Sequence, residues 1–353
     1  MKILTKILLL VLLFGFLAAC SCSTQKPEKQ IIAVAEKCPN YIFHLLAVAK
    51  VGFYSDYADQ YKGSVLPEDI AYIQMHGHLL SFGAGSSGEL VPIMISFPSY
   101  INLKSKDAFE EYFSLLDSGF QTNDFQPFLE RYAPYNERLN AWFPIEEEYL
   151  RSIAKYKEVI AQLAKIHLRN YASYEKEVWD AEKAKLDNVA SKINDYFENR
   201  DIISKWEAVT GREFKFGNYY IILCSAIKNG PNANSLGYER NVFYHDARFD
   251  YMTQFISHET GTHILIDVLK EVYNSKEFEN GVLYGGYQSL AKFYNTIILR
   301  NKNLEYSMPN FHDQEYLEIY DEIYHKNRNI NPADLLVKGT ETLYKSRLKS
   351  GSK

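Results

Sequence analysis

The sequence predicts an α+β protein, helix-dominated, with a small strand region ahead of a helix at 248–273. Three observations predict it. From about 144 to 200 the chain is charged, Ala-rich and almost free of Gly and Pro, the composition of long amphipathic helices. Apolar residues at helical spacing return at 248–273, 286–300, 310–325 and 332–347. Just before these, "YYIILC" at 219–224 is a compact strand run, followed by the breaker-rich loop "NGPNANSLG".

The elements follow in chain order. Lys2 and Lys6 precede an apolar run from Ile7 to Ala19. A membrane-spanning helix needs roughly 20 apolar residues, so this shorter run has the layout of a secretory signal. It ends in Leu17-Ala18-Ala19-Cys20, which resembles the bacterial lipobox. That resemblance implies removal of 1–19, lipidation of Cys20 and a membrane-anchored protein of the cell envelope. The alternative is an ordinary signal with an incidental cysteine. Residues 20–38 then form a polar tether, most clearly over 21–30. Residues 39–210 form a mixed N-terminal region with long helices, and 211–349 the region that carries the chemistry.

Within the first region, 40–62 shows helical spacing. Two β-like runs, 69–82 and 89–97, flank "GAGSSG", and short helices follow at 106–117 and 124–132. Gly83 to Gly88 matches G-x-G-x-x-G, but the dinucleotide fingerprint needs a helix opening at its end. "ELVPIMISFP" follows instead, so the stretch is expected to be a hairpin loop. His76 and His78 alternate on the first β-like run and share a face, but two ligands do not make a site.

With 39 basic and 44 acidic residues the net charge is −5, and no basic stripe offsets it, which argues against a nucleic-acid partner. Four cysteines form neither a disulfide framework nor a metal knuckle. The 28 tyrosines are spread along the chain and suggest packing rather than one cage.

The chemistry concentrates in "FISHETGTHILID", 255–267. The familiar zinc spacing, H-E-x-x-H, puts two histidines on one helix face. Here His258 and His263 are five apart. On a regular helix residues four apart lie about 40° from each other, and residues five apart about 140°. A turn widened by one residue would repair this. Gly261, flanked by Thr260 and Thr262, is where the helix is weakest, so the widened turn is expected between Glu259 and His263. The alternative is a buried hydrogen-bonded cluster, which is costly for two histidines and a glutamate without a charge partner.

The pattern resembles the H-E-x-x-x-H variant of the zincin metallopeptidases, close to the "HEIGTH" type of the tyrosine-carboxypeptidase group and its bacterial relatives. The resemblance covers about 215–300 and is sharp at His258, Glu259, Gly261, Thr262 and His263. It implies a zincin-like domain in which His258 and His263 hold Zn2+ and Glu259 activates a water. The family's third ligand is a glutamate in an E-x-L-A-x-F/Y-N context. The matching stretch here, "YQSLAKFYN" at 287–295, puts Gln288 in that place. Either Gln288 completes a weakened site, or Glu271, Glu279 or Glu315 does, or the site is vestigial. The resemblance also implies an edge strand near the metal helix, and 219–224 is the candidate.

The leading expectation is therefore a zinc-dependent peptidase of the cell envelope acting on a peptide or protein. The alternatives are an inactive zincin-like lipoprotein serving as a surface binding or adaptor protein, and a structural lipoprotein without metal.

Overall fold

The computed structural model describes residues 29–350, apart from 84–85, 137, 139–144, 230–232, 246–247, 276–277 and 279. The signal, Cys20 and most of the polar stretch after it lie outside the described residues. Among the described residues no helix is long and apolar enough to cross a membrane.

The first half runs β1 (Gln30–Val34), α1 (Lys37–Val48), α2 (Tyr57–Tyr61), α3 (Pro67–Met75) and α4 (Gly77–Leu80). A short ribbon, β2 (Phe82–Gly83) with β3 (Ser86–Ser87), leads to α5 (Phe97–Ile101) and α6 (Lys106–Thr122). Then come α7 (Gln126–Asn136), α8 (Glu147–Ser152), α9 (Lys157–Tyr174), α10 (Asp180–Phe197) and α11 (Ile202–Thr210). The second half is β4 (Asn218–Leu223), β5 (Ala233–Gly237), β6 (Arg240–Phe243) and α12 (Phe249–Ile264). It ends with α13 (Ile266–Ser275), α14 (Asn280–Leu299), α15 (Asp313–Lys326) and α16 (Pro332–Ser350).

The main sheet has the order β1-β4-β6-β5. β1, β4 and β6 are parallel, and β5 runs antiparallel to β6 at the outer edge. Side chains alternate across a strand, and here the alternation divides the interior. Ile222, Leu236 and Val242 join the apolar core built by α1 to α9. Ile31, Ala33, Tyr219, Ile221, Leu223 and Phe243 join the core built by α10 to α16. The sheet is a partition buried on both faces, which is why "YYIILC" is nearly continuous in apolar residues. The protein is thus a helix-dominated α+β fold with a small mixed sheet.

Several expectations are corrected here. Residues 69–82 and 89–97 are mostly helical, not β. Pro67 opens α3, Pro92 opens a π-helical turn over Pro92–Ser96, and Pro98 lies in the first turn of α5. Ile93, Met94, Ile95 and Phe97 are all buried, and a helix buried on every side loses the amphipathic period that separates it from a strand. His76 follows α3 and His78 lies in α4, so the shared strand face is absent. The polar tether ends before Gln30, because β1 pairs with β4 from Gln30↔Asn218 to Val34↔Ile222. The division at 210 does not match the packing: Leu186, Ile193 and Trp206 already belong to the second core. The expected hairpin at Gly83 to Gly88 is present as β2 and β3, and the long helices expected over 144–200 are α9 and α10, preceded by the short α8.

Candidate functional site

The site is assembled from three elements around a cavity of about 60 Å³. α12 gives Glu259, Thr262 and His263, and Ile266 continues the same stripe beyond the break at Leu265. These positions, spaced 3, 4 and 7 along the chain, are one face of a helix. α14 gives Tyr284, Tyr287 and Gln288, and the sheet edge gives Ser235 and Tyr238. The volume is enough for a few waters or a small ion with its shell.

α12 is α-helical throughout, and the widened turn expected between Glu259 and His263 is absent. The last bond is ordinary, with the Leu265 N–H donating to the Gly261 carbonyl at 2.9 Å. The reason lies in another element. A Cβ added at Gly261 would stand 2.2 Å from the Trp206 ring, so the glycine admits the indole of α11 rather than a wider turn. The two threonines bond within the regular helix, Thr260 to the Ile256 carbonyl at 2.9 Å and Thr262 to the Glu259 carbonyl at 2.8 Å.

On the regular helix the two imidazoles stand about 140° apart, and His263 lines the cavity while His258 does not. His263 Nδ1 donates to the Tyr238 carbonyl at 2.7 Å, which leaves Nε2 as acceptor for the Ser235 hydroxyl at 3.1 Å. That is the tautomer a metal-ligating histidine takes, with one nitrogen tied to a carbonyl and the other presenting its lone pair. His258 Nε2 lies 3.1 Å from Gln288 Oε1, and the Gln288 amide nitrogen donates to the Tyr284 hydroxyl at 3.0 Å. His258 Nδ1 is buried without a hydrogen-bond partner. Burial pushes both imidazoles down to about 4, so both are neutral at pH 7.

Glu259 stands 4.0 Å from His258 Nε2 and is reached from Asn241 at 3.4 Å and Thr262 at 3.5 Å. Burial raises its carboxyl to about 7, against the pull of those two donors. The carboxylate is 15 % exposed, through the cavity, so water has access to it.

The structure thus brings Glu259, His263 and Gln288 to one cavity, with His258 bonded to Gln288 outside its lining. Glu271 and Glu315 are more than half exposed; Glu271 pairs with Arg212 at 3.0 Å and Glu315 lies 3.3 Å from His312. Neither lines the cavity, and Glu279 lies outside the described residues. Among the described residues no three His, Cys, Asp or Glu side chains form a group able to hold a metal. Of the expected third ligands that are described, Gln288 alone lines the cavity. The donor types suit zinc, two neutral imidazoles and an amide oxygen, but the regular helix does not bring both imidazoles to one point: His263 and Gln288 line the cavity, while His258 lies outside the lining with its Nε2 bonded to Gln288. The 3.1 Å between His258 Nε2 and Gln288 Oε1 is close to the ~3.3 Å edge of a tetrahedron with 2.0–2.1 Å bonds. In the structure that contact is a hydrogen bond, the His258 Nε2–H donating to Gln288, while His263 faces the cavity.

Sequence reasoning missed Ser235, Tyr238, Asn241 and Tyr284. Ser235 lies in β5, inside the breaker-rich stretch, and the outer strands of the sheet are β1 and β5. β4 is central. Tyr284 stood one helical turn before Gln288, and that spacing was its only signal.

No family model, no curated protein and no solved structure matches the chain.

Proposed function

We propose that the protein is a zinc-dependent peptide hydrolase anchored in the bacterial cell envelope. The observation that carries this is the convergence of Glu259, His263 and Gln288 on one cavity, with His258 touching Gln288, beside the outer strand β5. Zinc in the cavity would be held by His263 and Gln288, joined by His258 only if its Nε2 gave up the bond to Gln288, and would supply Lewis acidity toward a peptide carbonyl. Glu259 is placed to take the proton of the attacking water and return it to the leaving amine. β5 closes one side of the cavity through Ser235. The tautomer of His263, fixed by the Tyr238 carbonyl, keeps its Nε2 lone pair toward the cavity.

The experiment is zinc affinity and hydrolysis of a peptide library for the wild-type chain, Gln288→Glu, and His258→Ala with His263→Ala. Gln288→Glu should tighten zinc binding by about tenfold, since a carboxylate adds charge attraction where an amide offers a dipole. The double alanine variant should bind none. No zinc uptake by the wild type would overturn the enzyme reading.

A second reading is favoured by one observation. Both imidazoles already have protein partners, Gln288 and Ser235, and the helix is regular. That suits an inactive zincin-like scaffold used for binding. Zinc uptake without hydrolysis of any library member is its signature. Anchoring rests on Cys20, and Cys20→Ser should release the protein from the membrane fraction; unchanged association would remove the anchor.

A further inference from the structure

We propose that the segment 301–312, which joins α14 to α15, is a positioning strap that sets which way the Gln288 amide points. An amide is nearly symmetric in shape, so the groups around it decide which end is oxygen. Gln288 has two such partners, the His258 imidazole at 3.1 Å and the Tyr284 hydroxyl at 3.0 Å. The strap packs on each of them. Tyr306 lies against the His258 ring with centroids 5.2 Å apart, and Phe311 meets the Tyr284 ring edge-on at 5.5 Å.

His258 depends on this contact. Its Nδ1 has no hydrogen-bond partner, so no bond on that side fixes the ring. The imidazole packs in a triangle of rings with Phe255, stacked at 5.9 Å, and Tyr306, the two of which also meet at 5.5 Å. With Tyr306 gone, the ring and the amide lose the arrangement that points oxygen at Nε2. A flipped amide would turn its nitrogen to His258, and an amide nitrogen is a donor that ligates no cation.

The strap is pinned to α14 at three places. Asn295 donates to the Tyr306 hydroxyl at 2.9 Å and accepts from Ser257 at 2.7 Å. Lys292 pairs with Asp313 at 2.5 Å, and Asp313 also accepts the Met308 N–H at 2.9 Å. At Gly285 an added Cβ would lie 3.2 Å from the Phe311 carbonyl, so the strap backbone rides close on the helix. Tyr284, Gln288, Lys292 and Asn295 are spaced 4, 8 and 11 along α14, one continuous face. Asn295 and Tyr306 are thus positioning residues, acting through His258 and Gln288.

The amide orientation does not depend on zinc; only its consequence for affinity rests on the reading above. Selective 15N-histidine labelling of the full metal-free chain reports which ring nitrogen of His258 carries the proton, with His258→Ala giving the assignment. The wild type should show the Nε2–H tautomer, donating to Gln288. Tyr306→Ala with Phe311→Ala should give a mixture of tautomers and weaken zinc affinity at least about tenfold, while Tyr306→Phe, which keeps the ring, should hold the wild-type tautomer. Should circular dichroism show the double variant unfolded, Tyr306→Leu and Phe311→Leu singly take its place. A wild-type tautomer in those variants would overturn the strap. A tautomer change in a chain that never takes up zinc would support the strap and overturn the metal reading alone.

Discussion

The indole of Trp206 lies against the backbone of α12 at Gly261, and this contact decides what the glycine does. Helix propensity marks Gly261 as a weak point, which is true of an isolated helix. In the fold its lack of a side chain is a packing property. Gly261→Ala should therefore lower stability by about 2 kcal/mol through overpacking, although alanine is the better helix former. Urea unfolding checks this, and Trp206→Leu in the same chain should recover part of the loss. An alanine variant as stable as the wild type would mean that the indole does not rest there. The residues legible in the sequence were those fixed by local spacing: His258, Glu259 and His263 on one segment, and Gln288 within its own short motif. Asn241, Ser235 and Tyr238 come to the site from the sheet, and no spacing in the chain relates them to α12.

At the scale of elements, the long amphipathic helices were legible because one face of each is solvated, and the apolar period survives. α5 and the turn before it were not, because burial on all sides removes the period. β5 was missed for another reason: "ANSLG" is short and holds small and polar residues although none of it is exposed, so no apolar alternation marks it. The junction of α14 and α15 carries a testable energy. Lys292 and Asp313 are each less than 10 % exposed and form a buried pair. Removing one partner leaves the other charged and enclosed. Asp313→Ala should cost about 3 kcal/mol, whereas Lys292→Met with Asp313→Leu should recover most of it, because an apolar pair leaves no buried charge. Denaturation midpoints of the three chains decide it; a double variant no better than the single would show that the pair supplies more than charge balance.

For the whole molecule, the sheet joins two cores, and the first of them contains a pH-sensitive element far from the candidate site. His167 of α9 is buried beside Phe109, ring centroids 5.8 Å apart and nearly parallel, next to a small apolar cavity lined by Leu45, Ile73 and Met94. Its Nδ1 has no partner, and burial pushes the imidazole down to about 3 from 6.5. His44 of α1, bonded to Tyr57 and Ser64 at 2.9 Å each, is pushed down to about 3 as well. The sign follows from proton counting. Above pH 6.5 the imidazoles are neutral in both folded and unfolded chains, and stability is complete. Between pH 6.5 and about 3 the unfolded chain binds protons that the folded one refuses, so stability falls as pH falls. Each histidine contributes a slope of about 1.4 kcal/mol per pH unit in that window. Replacing His167 by leucine, of similar volume, removes one of the two. The acid limb of a plot of unfolding free energy against pH should flatten by about that slope for His167→Leu, while its stability above pH 7 stays near wild type. Equal slopes between pH 6 and 4 for the two chains would show that His167 titrates as it does in water, and that α9 opens to solvent far more readily than its packing implies.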